Sequence, residues 1–202
     1  MKNTIYIKNP DDLKLNFIKK NEANFIILIN ENIENKYKYT LNLNKENTSS
    51  KILFLIITGE NSKLDFNIFV NHFASKTSLD LKFKTVLFKN AHLNFNGNIF
   101  VEKNLKKIKS SMIHQNLLES KESKIISKPN LEINSDEVEI NHGFATGNFN
   151  KEEIYYLQSR NLSKKTIKKE LTKAFLFKEL EGKISKELKK QIKQDIICSI
   201  PL

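Results

Sequence analysis

Leu64-Asp65-Phe66-Asn67-Ile68-Phe69-Val70 sets the rhythm of this chain. Leu64, Phe66, Ile68 and Val70 stand at every second position, the spacing of an extended segment with one buried and one wet face. Upstream, Tyr39, Leu41 and Leu43 keep the same step. Downstream, Leu79, Leu81 and Phe83 follow, then Leu93, Phe95, Ile99 and Val101. Phe25-Ile26-Ile27-Leu28-Ile29 and the stretch from Ile52 to Ile57 are instead unbroken apolar runs. β-branched and aromatic residues are plentiful, as strands prefer. The pattern is strand-like from the start to about Ile140. Its breaks are polar clusters at Asn44 to Ser50, Gly59 to Ser62, Asn71 to Lys76 and Asn90-Ala91.

No helical stripe lies between these strands, which disfavours a βαβ sheet. Many short strands with polar turns fit a sandwich, a barrel or a β-solenoid, and periodicity alone does not choose among them. No strict internal repeat is visible. The chain has 5 glycines and 3 prolines. Tight two-residue hairpins favour Asn-Gly or Asp-Gly, and only Asn96-Gly97 supplies that pair, where it predicts a hairpin. The scarcity favours wide solenoid corners over hairpin meanders.

After Gly147 the period becomes helical. Asn150 is placed to cap a short helix ending near Ser159, with Glu153 positioned to reach back to the cap. Ser163 caps the next helix, on which Ile167, Leu171, Ala174 and Phe175 share a face. A third helix carries Leu180, Ile184, Leu188, Ile192 and Ile196 in steps of four. The reading is a β core over residues 1–147 and a helical domain over 148–202, the last two helices forming a small appendage. Its exposed faces are basic, with eleven lysines against four glutamates from Ser163 to Gln194.

The 202 residues suffice for one sizeable core. No apolar run is long enough to span a bilayer. Met1-Lys2-Asn3-Thr4-Ile5 lacks the apolar segment and cleavage site of a secretory leader, so a cytoplasmic location is the default expectation. The net charge of +11 raises nucleic acid as a partner. However, the charge is almost all lysine, Arg160 being the lone arginine. Base-reading surfaces favour the arginine fork, and the aromatics sit mainly at alternating core positions. Neither specific nucleic-acid binding nor membrane binding is expected.

No Walker-type glycine loop and no nucleophile–base motif is present, so the chain reads as non-catalytic. One cysteine and four histidines do not give zinc-finger spacing. Cys198 cannot hold a thiolate cluster alone and reads as an apolar filler on a helix.

The segment from Met112 to Arg160 carries an ordered set of motifs. They are Asn116-Leu117-Leu118, Lys128-Pro129-Asn130-Leu131-Glu132-Ile133, Ser135-Asp136-Glu137-Val138, His142-Gly143 and Tyr155-Tyr156-Leu157-Gln158-Ser159-Arg160. In order and spacing they resemble the C-terminal signature of the SufB/SufD family of iron–sulfur cluster assembly scaffolds. The resemblance implies a right-handed parallel β-helix followed by a helical C-terminal domain. It also implies a scaffold function without catalysis, an ABC-type ATPase partner of the SufC kind docked on the C-terminal helices, and dimerisation through the β-helix with a SufB-like chain or with itself. No cofactor would be bound stably; an iron–sulfur cluster would be held transiently and shared with a partner chain.

Two departures stand out: Phe144-Ala145-Thr146-Gly147 where the family has Ala-Thr-Val-Gly, and Ser159-Arg160-Asn161 where it has Ser-Arg-Gly. Gly143 after the motif histidine is the SufD form; SufB-type members have Glu there.

Under this resemblance His142 is the leading site candidate, as an iron ligand or proton relay. His114 falls where SufB-type members carry a cysteine; stacked coils would bring it near His142, though a histidine ending a strand explains it as well. Ile167, Leu171 and Phe175 are the expected ATPase-docking stripe. His72 and His92 are assigned no role, Glu132 reads as a solvated carboxylate, Pro129 as a corner, and Arg160 as a structural residue pairing with a carboxylate. The rival reading is an adaptor or structural β-solenoid that has lost cluster chemistry.

Overall fold

The structure, a computed structural model, describes residues 4–17, 23–180 and 184–201. Met1, Lys2 and Asn3, part of the leader argument above, lie outside the described residues. Eleven strands run β1 (Thr4–Lys8), β2 (Leu13–Phe17), β3 (Ala23–Glu31), β4 (Glu34–Leu43), β5 (Ser49–Thr58), β6 (Lys63–His72), β7 (Ser78–Leu87), β8 (His92–Val101), β9 (Lys106–Leu118), β10 (Lys124–Ile133) and β11 (Glu137–Asn148). Helices α1 (Lys151–Ser159), α2 (Lys164–Phe177) and α3 (Lys186–Ser199) follow. Odd strands form one sheet in the order β1-β3-β5-β7-β9-β11, even strands the other in the order β10-β8-β6-β4-β2, and every pairing is parallel. This is the parallel β-solenoid. The chain alternates between two facing sheets, and each coil lays its strands on those of the coil before.

The spacing of the ladder explains why the repeat is hard to see. Side-chain bonds between the central coils join residues 29 apart, as in Asn90 to Asn61 and Asn96 to Asn67. Later coils lengthen: Ser78 pairs with Lys109, and His92 with Lys124. What repeats is residue class at the inward positions, not identity.

The corners also account for the scarcity of glycine. Asn47, Asn61, Asn90 and Asn104 adopt φ of 59°, 60°, 59° and 61°. Asparagine tolerates this left-handed region better than other residues with a side chain, because its short amide bonds locally. Asn96-Gly97 is not a hairpin: it lies within β8, where Gly97 faces β10 and β6. A Cβ there would come within 2.5 Å of Met112 Sδ, so a close interior approach is the reason for glycine.

The interior is an interdigitated stack. Phe54 lies on Phe83 at 4.6 Å, Phe66 on Phe95 at 5.7 Å, and Phe83 meets Phe95 edge-on at 4.9 Å. These are the offset and edge geometries aromatic quadrupoles favour. Each fully buried side chain contributes about 1.5–3 kcal/mol by removal from water.

The helices are not an appendage. Leu176, Leu180, Ile192, Ile196 and Ile200 form one buried cluster with Ile26, Leu28, Leu55, Ile57, Val86 and Phe88 on the outer face of the odd-strand sheet. That explains the unbroken apolar runs at Phe25–Ile29 and Ile52–Ile57: those strands are covered on both faces. Ion pairs fasten the junction. Lys82 and Lys84 reach Glu179 at 2.8 and 3.7 Å, Lys8 reaches Asp195 at 2.7 Å, and Lys168 pairs with Glu119. Lys84 is buried with its ammonium 4.1 Å from the Phe175 ring centre. Burial lowers its pKa, and the nearby Glu179 carboxylate opposes that shift.

Ser163 caps α2 as expected, its hydroxyl accepting from Thr166 N at 3.1 Å, and Asn150 caps α1, accepting from Glu152 N at 2.8 Å. Leu180 is not on the third helix but in a 3₁₀ turn over Lys178–Leu180, and α3 is capped separately by Ser185. Cys198 is exposed, not filler. Among the described residues no helix is long and apolar enough to cross a membrane.

Candidate functional site

Stacked coils arrange inward side chains in columns, and the columns locate the site. One runs Phe25, Ile52, Leu81, Met112; its neighbour runs Ile27, Phe54, Phe83. All these residues are apolar and, beyond Phe25, almost wholly buried. The first column then ends in His142, on β11 beside Met112. The second continues into His114, on β9 beside Phe83, and closes with Phe144. Two imidazoles thus stand where the pattern of the core calls for hydrocarbon.

A buried polar group costs free energy unless it is hydrogen-bonded. His114 is fully buried, and its Nε2 lies 2.8 Å from Thr85 Oγ1. Its ring is boxed by Phe95 at 4.5 Å, Phe83 at 5.3 Å and the edge-on Phe144 at 5.6 Å. Nδ1 is buried with no partner. Burial first, and the neighbouring His142 second, push its pKa down to about 3. His142 is half-buried, its Nε2 also lacks a partner, and burial lowers its pKa too. Strand spacing and rise put the two Cα atoms about 8 Å apart across the ladder.

Of eight buried side-chain atoms without a partner among the described residues, five lie on β9, β10 and β11. They are Ser110 Oγ, His114 Nδ1, Asn116 Oδ1, Ser127 Oγ and His142 Nε2. Unsatisfied buried polar atoms are rare in native interiors, and a cluster of them asks for an explanation. This last coil is also the open end of the solenoid. β11 and β10 are the edge strands of their sheets, and Ile126, Leu131, Ile133 and Phe144 on them are exposed. Chemically, the end offers neutral imidazoles, whose unprotonated nitrogens carry lone pairs for a metal or a proton. It does not offer a complete cage: among the described residues no three His, Cys, Asp or Glu gather.

The profile for "SUF system FeS cluster assembly, SufBD core domain" matches residues 24–175, from β3 through most of α2. The chain belongs to the SufBD core family. It is 28% identical over 157 residues to the iron-sulfur cluster assembly protein SufD of Escherichia coli, covering 78% of this chain and 37% of that protein. It is 30% identical over 111 residues to a SufBD family protein of Mycobacterium leprae, covering 54% and 27%. A SufBD family protein of Synechocystis is 26% identical over 115 residues, covering 57% and 25%. The chain thus spans roughly a quarter to two fifths of the length of these relatives.

Both departures from the SufBD signature have a physical reading. Asn161 takes φ of 62° just after α1, with Asn161 N bonded to Gln158 O and Leu162 N to Leu157 O. This left-handed helix stop usually takes glycine, and asparagine is its usual substitute. Phe144 supplies the edge-on ring over His114, a contact that the smaller alanine of the family pattern could not make.

The remaining candidates divide. Ile167 is wholly buried inside this chain, and Leu171 and Phe175 are half-buried, Phe175 against the helix–sheet cluster. Ile167 is thus committed to the interior of this chain, whereas Leu171 and Phe175 keep part of their surface exposed. His72 is buried at a corner, Nδ1 2.8 Å from Thr77 Oγ1, and burial lowers its pKa to about 4. It is remote in sequence and coil from the open end. Pro129 is not at a corner but within β10, tolerated because β10 is an edge strand. Glu132 is exposed as expected. Among the described residues Arg160 pairs with no carboxylate: its Nη2 donates to Tyr156 Oη at 3.0 Å.

Residues not assigned to the site from sequence are Thr85 and Phe144, which bond and cover His114. Their signal is register: only aligned coils show that Phe144 shares a column with His114 and that Thr85 stands in the next one.

Proposed function

We propose that this chain is a non-catalytic scaffold subunit of an iron–sulfur cluster assembly complex. In this reading the open end of the solenoid is the working end. His142, with His114 beneath it, offers nitrogen donors to iron in transit, while sulfide and the missing ligands come from a partner chain. That partner, a SufB-like chain or a second copy, pairs along the edge strands β10 and β11, where Leu131, Ile133 and Phe144 are exposed. An ABC-type ATPase of the SufC kind docks on the helical end, and the cluster leaves with its acceptor instead of staying as a cofactor. A cytoplasmic setting goes with this role.

The observation that carries the reading is the replacement of hydrocarbon by histidine in two adjacent core columns at the end of the solenoid that holds His142-Gly143. Sequences keep buried polar groups without partners mainly where function needs them. The test is anaerobic reconstitution of the chain with its partner subunits, wild type against His142→Ala. A cluster yield reduced severalfold is expected; equal yields would remove His142 from the mechanism. ATPase docking is tested by copurification. Deleting residues 163–202 is a poor control, since it would strip the cover from Ile26, Leu28, Leu55 and Ile57.

The second reading, an adaptor without cluster chemistry, is favoured by the two-donor count at the open end. Unchanged binding to partners with no cluster formed by the wild-type complex would select it.

A further inference from the structure

The aromatic box around His114 restricts the plane of its ring but not which way round the ring sits. Phe83, Phe95 and Phe144 stand 5.3, 4.5 and 5.6 Å from it, and they present only carbon and hydrogen. A half-turn about the Cβ–Cγ bond would exchange Nδ1 with Cδ2 and Nε2 with Cε1 and leave the shape almost unchanged. One directional contact distinguishes the two settings: Nε2 lies 2.8 Å from Thr85 Oγ1. Turned over, the ring would set a carbon against that hydroxyl and strand a buried polar group. Thr85 is itself wholly buried, on β7, one coil behind His114. Its column reads Ile29, Ile56, Thr85, Asn116, so a hydroxyl stands where the two earlier coils place isoleucine.

The same bond sorts the two ring nitrogens. Nε2 is committed to Thr85, whereas Nδ1, on the other side of Cε1, is buried with no partner. His142 stands on the next coil, and its Nε2 lacks a partner too. A metal takes only an unprotonated nitrogen, so a neutral imidazole that binds through Nδ1 carries its proton on Nε2. A hydroxyl can accept from that N–H or donate to a bare nitrogen, and so suits both the empty and the loaded ring. Metal-ligating histidines are commonly oriented in this way, the second nitrogen donating to an oxygen behind it.

We propose that Thr85 is a positioning residue of the open end: its hydroxyl accepts from His114 Nε2 and leaves Nδ1 as the nitrogen that meets iron in transit. The inference rests on the proposed function and adds to it a residue that touches no metal.

The experiment titrates zinc alone, as a probe, into the full-length chain and follows the imidazole nitrogens by NMR. In the wild type zinc should shift His114 Nδ1 while Nε2 keeps its proton. Thr85→Val keeps the branched shape without the hydroxyl and should bind zinc about ten- to hundredfold more weakly. Thr85→Ser, which restores the hydroxyl, should recover most of that loss. If Thr85→Val fails to fold, Thr85→Ala carries the same test. A serine variant no better than the valine one would trace the loss to packing and overturn the inference. Zinc on His114 Nε2, or equal affinity for wild type and Thr85→Val, would overturn it as well. Where His142→Ala still weakens zinc binding, these results leave the proposed function standing. Zinc taken up by neither histidine overturns both.

Discussion

The central coils and the last coil share one backbone plan and differ in what they enclose. Between β3 and β8 the interior is hydrocarbon and aromatic rings, and helices cover one outer face. On β9 to β11 the same columns hold His114, Asn116, His142 and Ser110, with unpaired polar atoms and exposed neighbours. The first region is built for stability, and most of its buried hydroxyls are bonded, such as Thr58 to Val86 O, Ser62 to Gly59 O and Thr77 to Ala74 O. The second gives up stability at the point where the family signature lies. The contrast teaches that a solenoid can separate the two tasks along its axis, because each coil contacts only its neighbours.

The contrast can be broken most sharply with two phenylalanines of one column. Phe83→Ala, in the middle of the aromatic stack, should cost about 3–5 kcal/mol, whereas Phe144→Ala, at 42% exposure, should cost about 1 kcal/mol or less. Urea unfolding of the two variants measures both, and similar losses would mean the last coil is as tightly built as the centre.

The helix junction should come next. Glu179→Gln leaves the buried Lys84 ammonium with less compensation and should cost about 2–3 kcal/mol. Limited proteolysis should then cut first within the helical end; an unchanged pattern would show that the apolar cluster alone holds it.

The third comparison is in pH. His114 binds its proton near pH 6.5 when unfolded and near 3 when folded. Between those values the unfolded state holds more protons, so stability falls as pH falls. At pH 5 this histidine adds a slope of about 1.4 kcal/mol per pH unit. His72, with a folded pKa of about 4, acts in the same direction. His114→Phe, which extends the Phe54–Phe83 column, should flatten the dependence between pH 6 and 4. Parallel pH profiles for variant and wild type would refute the buried neutral assignment.

The smallest effect belongs to the surface. Asn67→Ala removes the bond Asn67 accepts from Asn96 on the wet face of the even-strand sheet, and should cost less than about 1 kcal/mol by thermal melting. A larger loss would mean that such amide ladders hold the coils in register.

Much of this was legible in the residues. Alternation at Leu64 to Val70 marks strands because an extended chain turns alternate side chains to opposite faces. Asn150 and Ser163 mark helix starts because their side chains bond locally to free backbone N–H groups. The motif around His142 was readable because neighbouring residues of one strand keep fixed spacing. The site around it was not. His114 was named only through the resemblance; Thr85 and Phe144 are set against it by coils of unequal length, and no local period records that.

The sequence by itself thus determined the strands, the helix starts, the family signature and His142. Only the tertiary structure decided that the helices share a core with the odd-strand sheet, that Ile167 faces inward while Tyr155 faces out, and that one histidine ends an apolar column while another interrupts the next before Phe144. The division is physical. Secondary structure and capping depend on contacts within a few residues, whereas columns, covered faces and docking surfaces depend on which coil lies on which.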